Sequence, residues 1–215
     1  MTFSKTGSLI FAVLLLTSCN NNNEFDEGED VNPKAVYLDY SITGEEENED
    51  ITCKFQFRTR GSEGAALVLN SPAKIELDGE QLTADSSKLG GAYYEIQKPL
   101  AAFTGKHIIT YTDLSKKEFT EEFEFTPLSL VGDIPTVISR NDFSFQLEGL
   151  EPEDYVTVVI TDTVFGSDGI HQIDTVKNGR LVIAPEQLQN LANGPITLIL
   201  SKETEKPLKN PGVEG

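Results

Sequence analysis

The fold class of this chain is decided by residues 51–59, which read ITCKFQFRT. Every second residue is apolar, and polar or charged residues stand between them. Because successive side chains of a β-strand point to opposite faces, this pattern places the four apolar side chains on one face and the polar ones on the other. The stretch therefore predicts a half-buried strand, with Cys53 as a small core residue.

Short runs of the same kind recur along the chain, separated by turn residues at the spacing of about 8–12 residues that is typical of β-sandwiches. We predict further strands at residues 36–42, 65–69, 74–77, 81–82, 93–96, 107–111, 119–125, 143–147, 155–160, 172–176, 180–184 and 196–200. Asp78-Gly79 and Asn178-Gly179 each predict a tight hairpin. Pro185, with Asn193-Gly194 as a stop signal, predicts a short helix near 185–192.

The predicted strands form two groups, which indicates an all-β protein with two tandem immunoglobulin-like β-sandwiches at residues 33–128 and 129–215. In the second group, Leu150-Glu151-Pro152-Glu153-Asp154-Tyr155 resembles the leucine-proline-tyrosine corner of fibronectin type III domains, with the tyrosine one residue early. Residues 209–215 have no strand character. The sequence therefore leaves open whether the second sandwich has all its strands.

The N-terminus has the pattern of an export signal. Residues 9–16 read LIFAVLLL, and Lys5 is the only charged residue before them. As a helix, this run would extend about 12 Å, far less than the bilayer core of about 30 Å. An apolar run of this length is instead typical of a signal peptide, which we place at residues 1–18.

The end of this run, Leu16-Thr17-Ser18-Cys19, resembles the lipobox of bacterial lipoproteins. The resemblance implies cleavage between Ser18 and Cys19 and attachment of lipid to the Cys19 thiol, with palmitate as a label for the acyl chains. Two or three acyl chains hold a protein stably on a membrane. We therefore expect an outer-membrane lipoprotein of the cell envelope, similar to the small lipoproteins of Bacteroidetes-type bacteria. An ordinary secretory signal is the alternative.

Residues 19–32 contain four consecutive asparagines and five acids. So polar a stretch buries too little apolar surface to fold, which predicts a disordered tether between the lipid and the first sandwich. An acidic stretch after the lipidated cysteine resembles the surface-export signal of lipoproteins in the Bacteroides and Flavobacterium lineage, although asparagines intervene here. Both the cell surface and the periplasmic face of the outer membrane remain open.

The composition excludes several classes of function. The chain of 215 residues carries 35 acids and 17 bases, and this net charge of −18 repels nucleic-acid phosphates. Its two cysteines and two histidines cannot supply a disulfide framework or a four-cysteine zinc site. Residues 45–50 and the pair Asp162 and Asp168 hold oxygen ligands suited to calcium, without the spacing of a calcium-binding loop. We expect neither a metal site nor a cofactor.

Few residues could perform catalysis. His107 lies within a predicted strand and His171 near a turn, so we expect structural roles for both. The sequence has no Gly-x-Ser-x-Gly motif, which would present a nucleophilic serine. We therefore expect a protein that is not an enzyme.

The function indicated by these observations is the presentation of β-sandwiches for protein interaction or envelope assembly, with a protein or glycan partner that the sequence does not identify. The alternative is a carbohydrate-binding accessory lipoprotein of a glycan-uptake system, in which aromatic rings stack on sugars. Its possible ligand contacts are Tyr93 and Tyr94, which are adjacent on a strand, so only one can face the core. The absence of tryptophan argues against a strong glycan platform.

Overall fold

The structure is a computed structural model that describes residues 36–209, apart from 46–47, 88–90, 142, 152–153 and 177–178. The signal peptide, the lipobox with Ser18 and Cys19, and the tether lie outside the described residues. Cleavage and lipid attachment therefore stay predictions.

The described chain is all-β, as the alternating sequence predicted. The strands are β1 (Val36–Gly44), β2 (Asp50–Thr59), β3 (Lys74–Leu77), β4 (Glu80–Gln81), β5 (Ala84–Ser87), β6 (Gly91–Pro99), β7 (Gly105–Thr112), β8 (Glu118–Phe125), β9 (Ser129–Val131), β10 (Phe143–Glu148), β11 (Tyr155–Asp162), β12 (Ile170–Thr175), β13 (Arg180–Ile183) and β14 (Ile196–Lys202). Two one-turn helices interrupt them, α1 (Leu100–Phe103) and α2 (Pro185–Leu188).

The first half of the chain forms two antiparallel sheets with the strand orders β1-β2-β6-β5 and β4-β3-β7-β8. One hydrophobic cluster takes side chains from both sheets, so it lies between them. The apolar side chains of residues 51–57 are at most 1% exposed, and Cys53 is a free, buried cysteine. Both the strand at 51–59 and the core position of Cys53 are thus confirmed.

The second half forms two three-stranded antiparallel sheets with the orders β13-β10-β9 and β12-β11-β14. A separate hydrophobic cluster lies between these sheets, and its centre is formed by Val156, Val158 and Ile160 of β11. The chain therefore has two cores, each enclosed by a pair of sheets.

The hairpin predicted at Asn178-Gly179 is wrong. β12 pairs with β11 whereas β13 pairs with β10, so the two strands belong to different sheets. Gly179 has the positive φ of 73° expected of a turn glycine, while Asn178 lies outside the described residues. The dipeptide predicts a turn before β13, but the side of the core that β13 covers decides that it pairs with β10.

Other differences concern short elements. β5 and β9 were not predicted, because the first has no large apolar residue and the second has three residues. Residues 65–69 do not form a strand but make isolated bridge contacts, one of them between Arg58 and Ala66. The helix near 185–192 is confined to α2. Tyr155 begins β11 with its ring mostly exposed, so it does not form the packed corner of a fibronectin type III domain.

The last strand, β14, pairs with β11 on one side. Within the described part of the chain, no strand pairs with its other side. The residues after it cross to the first half of the protein, where Leu208 packs against the first cluster. There the Lys209 N–H donates a hydrogen bond of 3.0 Å to Glu121 Oε2 on β8.

Candidate functional site

His107 of β7 is a buried polar residue beside the first core, and its partners could not be predicted from the sequence. Its Nδ1 lies 2.8 Å from Asp78 Oδ2, and its Nε2 lies 2.6 Å from the backbone oxygen of Phe103. The imidazole stacks on the Phe103 ring with centroids 3.9 Å apart, and the residue is 8% exposed. Asp78 also accepts a hydrogen bond from the Ile108 N–H through its other carboxylate oxygen.

The contacts of His107 join the turn after β3, the end of α1 and β7, and they occupy both nitrogens that catalysis would need. A carboxylate and a carbonyl oxygen can only accept hydrogen bonds, so both contacts form together only when each ring nitrogen carries a hydrogen. A general base needs a nitrogen that faces its substrate, and both nitrogens of His107 face the protein's own oxygens. The contacts instead tie the turn after β3 and the end of α1 to β7.

Tyr94 lies in the first core. Its ring is 4% exposed and makes an edge contact with Phe57, with centroids 5.7 Å apart. The hydroxyl accepts a hydrogen bond of 2.7 Å from the Leu69 N–H. Burial raises the pKa of Tyr94 above its ordinary value. Of the two adjacent tyrosines, this one therefore faces the core.

Tyr93 points the other way and is partly exposed. The Lys54 ammonium lies 4.5 Å from the centroid of its ring, and its hydroxyl lies 3.5 Å from Asp85 Oδ2. A sugar would have to stack on a ring face, and one face is covered by the lysine. Of the two predicted ligand contacts, only Tyr93 is therefore accessible to a sugar.

Cys53 is fully buried, and burial raises the pKa of its thiol to about 12. The thiolate is the nucleophilic form of cysteine, and a pKa this high keeps the group protonated at neutral pH. Cys53 is therefore a packing residue of the core.

Asp162, one of the acids considered as a calcium ligand, binds groups of the protein's own loops. Asp162 accepts hydrogen bonds from the Ala192 N–H, the Val164 N–H and the Ser167 hydroxyl, at 2.8 to 2.9 Å. The backbone bonds, that from Ala192 first, lower the pKa of Asp162 below its ordinary value. Over the ranges that the structure describes, no three His, Cys, Asp or Glu side chains are grouped so as to hold a metal ion.

A feature that sequence reasoning missed lies on the outer surface of the β12-β11-β14 sheet. Ile173 of β12 and Ile199 of β14 are 63% and 54% exposed, and Val159 of β11, which is opposite Ile199 in the register, is partly exposed. Tyr155 adds an exposed ring at the start of β11. We call these four residues the outer apolar face.

The outer apolar face arises because β11 also has apolar residues, Tyr155 and Val159, on its outward side. Val156, Val158 and Ile160 fill the core, so the residues between them must point outward. A continuous β-branched run predicts a strand, but it does not say which of its two faces is covered. The sequence already shows apolar residues at both odd and even positions of residues 155–160. It does not show that the second sheet covers only one side of this strand.

Comparisons with protein-family models and with curated protein sequences find no match for this chain. Among the residues with described structure, no helix has the length and apolar character needed to cross a membrane.

Proposed function

We propose that this chain is a lipid-anchored protein of the cell envelope, which is not an enzyme and which presents two tandem immunoglobulin-like sandwiches for contacts with other proteins. The observation that carries the proposal is the outer apolar face. Large apolar side chains that are exposed together on a regular surface are typical of protein-interaction sites. Here they stand on three paired strands, so their positions are fixed before a partner arrives.

The strand orders support the immunoglobulin-like assignment. If β1 to β8 are lettered A, B, C, C′, D, E, F and G, the two sheets of the first half read A-B-E-D and C′-C-F-G. This is the arrangement of immunoglobulin domains, in which strands A, B, E and D form one sheet and C, F and G form the other. With β9 to β14 lettered A, B, C, C′, E and F, the second half reads A-B-E and C′-C-F.

The polar side chains support a role in binding over a role in catalysis. Both nitrogens of His107 are bound by oxygens of the protein, and the thiol of Cys53 is buried. His171, the second histidine, is exposed on β12 beside the outer apolar face and lies opposite Val159. An exposed imidazole next to apolar side chains suits the rim of a protein contact.

The lipid anchor is supported by the lipobox and by the length of the tether. Fourteen residues, 19–32, reach at most about 50 Å when fully extended. A folded unit on such a tether can move clear of the lipid surface without leaving it. The net negative charge of the chain further keeps it from lying on an anionic membrane.

The anchor is tested by metabolic labelling with radioactive palmitate. We expect the wild type and Cys53→Ala to be labelled and to fractionate with membranes, because Cys53 is buried in the core. We expect Cys19→Ala to be unlabelled and to leave the membrane fraction. Equal labelling of wild type and Cys19→Ala would overturn the anchor.

The interaction surface is tested by capture of partners from intact envelopes. The wild type is compared with the double variant Ile173→Lys and Ile199→Lys, and with Ile108→Lys as a control. Ile108 is also an exposed isoleucine on a strand, 45% exposed, but it lies on β7 in the first half. We expect specific partners to be lost in the double variant and kept in the control. Retention of every partner by the double variant would remove the outer apolar face as the contact surface.

A further inference from the structure

The side of β14 that faces away from β11 is a strand position that none of the described strands fills. β7 and β14 take the same place in their sheets, but β7 lies between β3 and β8, whereas β14 has a described neighbour only in β11. The inward side chains of β7 are 3% to 8% exposed; these are His107, Ile109 and Tyr111. The inward side chains of β14 pack on the second core but are only partly buried; these are Ile196, Leu198 and Leu200.

The segment that follows β14 does not return along this free side. In the first half, β8 follows β7 after a short turn and pairs with it over eight residues. After β14, residues 203–207 are exposed and outside any strand, and Leu208 then packs on the first core. The backbone of Lys209 is bound to Glu121. The chain is therefore led away from the position that a further strand would occupy.

β14 has few of the devices that protect free edges of sheets, because its one charge is at its last residue, Lys202, whose ammonium binds Asp154 and the Gly149 oxygen. Natural edge strands are kept from pairing by charges, prolines, bulges or short length. The edge strand β8 reads EFTEEFEF and carries four glutamates, and β4 has only two residues. From Ile196 to Ser201, β14 reads ITLILS, without a charge or a proline. It is a seven-residue strand, and on the side away from β11 no described strand pairs with its backbone.

The sequence of β14 matches itself when the direction is reversed. In an antiparallel pair of two β14 strands centred on Ile199, Leu198 stands opposite Leu200 and Thr197 stands opposite Ser201. Ile196 stands opposite Lys202, so no two like charges meet. Apolar pairs and hydroxyl pairs directly opposite one another are the favourable cross-strand combinations. The charge and polarity of the edge thus fit a second copy of the same edge.

We propose that two copies of this chain associate through their β14 edges, which joins the two β12-β11-β14 sheets into one six-stranded antiparallel sheet. The contact is the same on both copies, so it forms a closed two-fold dimer and consumes both free edges. The two outer apolar faces become continuous across the Ile199 pair. This inference deepens the proposed protein-contact function by naming a second copy as a partner, and it is independent of the lipid anchor.

The proposal is tested by sedimentation velocity of the full chain in mild detergent over a range of protein concentrations. We expect the wild type to reach twice the mass of one chain. Ile199→Lys places two ammonium groups opposite each other at the dyad, so we expect dimerisation to weaken roughly tenfold or more. Ile173→Lys puts the same charge on the same face, on the opposite edge strand β12, and we expect it to remain dimeric.

Each alternative outcome refutes the β14 contact. A wild type that is monomeric at every concentration, or an Ile199→Lys variant that stays dimeric, overturns it. If both lysine variants dissociate, the copies stack through their outer faces and not through their edges. A wild type that dimerises but captures no other protein from the envelopes would count against the proposed function alone.

The register is tested by disulfide formation in a Cys19→Ala background, since Cys53 is buried and does not react. Opposite residues of an antiparallel pair have Cα atoms close enough to be bridged by a disulfide. We expect Ile199→Cys to link to itself. We expect Thr197→Cys to link only when mixed with Ser201→Cys. A Thr197→Cys protein that links efficiently to itself would overturn the Ile199-centred pairing.

Discussion

Replacement of His107 by leucine tests whether its two hydrogen bonds hold the first core together. Leucine keeps apolar volume against Phe103 but cannot donate a hydrogen bond. The buried oxygen of Phe103 then loses its partner at 2.6 Å, and an unsatisfied buried acceptor costs about 1–3 kcal/mol. The side chain of Asp78 is 46% exposed, so water can replace that contact and its loss adds at most about 1 kcal/mol.

We therefore expect His107→Leu to lower the free energy of unfolding of the first half by between about 1 and 4 kcal/mol. Urea unfolding followed by tyrosine fluorescence measures this, because five of the six tyrosines lie between residues 36 and 112. His171→Leu is the matched control, since its side chain is exposed, and it should change stability by less than about 0.5 kcal/mol. A His107→Leu protein as stable as the wild type would refute the structural role assigned to this histidine.

Three further predictions concern other buried or bonded groups. Cys53 should resist a thiol reagent such as DTNB in the folded protein and react only on unfolding, because burial raises its pKa to about 12; rapid labelling without urea would contradict this. Arg140 donates to the oxygens of Leu188 and Gln189 and to Asn193 Oδ1 at 2.7 to 3.0 Å, so Arg140→Ala should destabilise the second half by about 1–3 kcal/mol in urea, and an unchanged midpoint would argue against it. Burial acts to raise the pKa of Asp154, but the bond from Lys202 and the N–H of Glu151 bring it below the ordinary value of 3.8. The stabilisation by Asp154 should therefore be complete above that value and fall as the pH drops through the lower pKa of the folded state, whereas Asp154→Asn should lack this acid-dependent loss. If the difference in unfolding free energy between the wild type and Asp154→Asn is the same from neutral pH to pH 2, the ionised Asp154 does not stabilise the fold.

The strands that the sequence predicted well are those whose pattern is decided by their own residues. β2 alternates so regularly that its buried face, including Cys53, follows from the spacing of side chains in an extended chain. β5, with the sequence ADSS, has no such pattern, and its place is decided by pairing with β6. Local sequence therefore predicted the strands with a regular apolar face and missed short strands such as β5, whose place depends on a neighbouring strand.

The contacts that the sequence could not predict join residues far apart in the chain. His107 and Asp78 are separated by 29 residues, and only the pairing of β3 with β7 brings them together. The wrong hairpin at Asn178-Gly179 has the same origin. A turn dipeptide specifies backbone angles, whereas the sheet that the next strand joins depends on the whole core. The outer apolar face likewise depends on which side of β11 receives the second layer.

The return of the chain to the first half through Leu208 and Lys209 has a mechanical consequence. The polypeptide passes from the first core to the second at residues 126–128, and the contacts of Leu208 and Lys209 bring it back. Among the described residues, the halves are thus joined both by the chain at 126–128 and by Leu208 and Lys209, so bending about the covalent connection strains or breaks the contacts of Leu208 and Lys209. Bringing residues 208–209 back to the first half closes a long loop of chain, which costs conformational entropy. The packing of Leu208 on the first core helps to offset this cost. We therefore expect the two halves to bend relative to each other mainly when the contacts of Leu208 and Lys209 with the first half are broken.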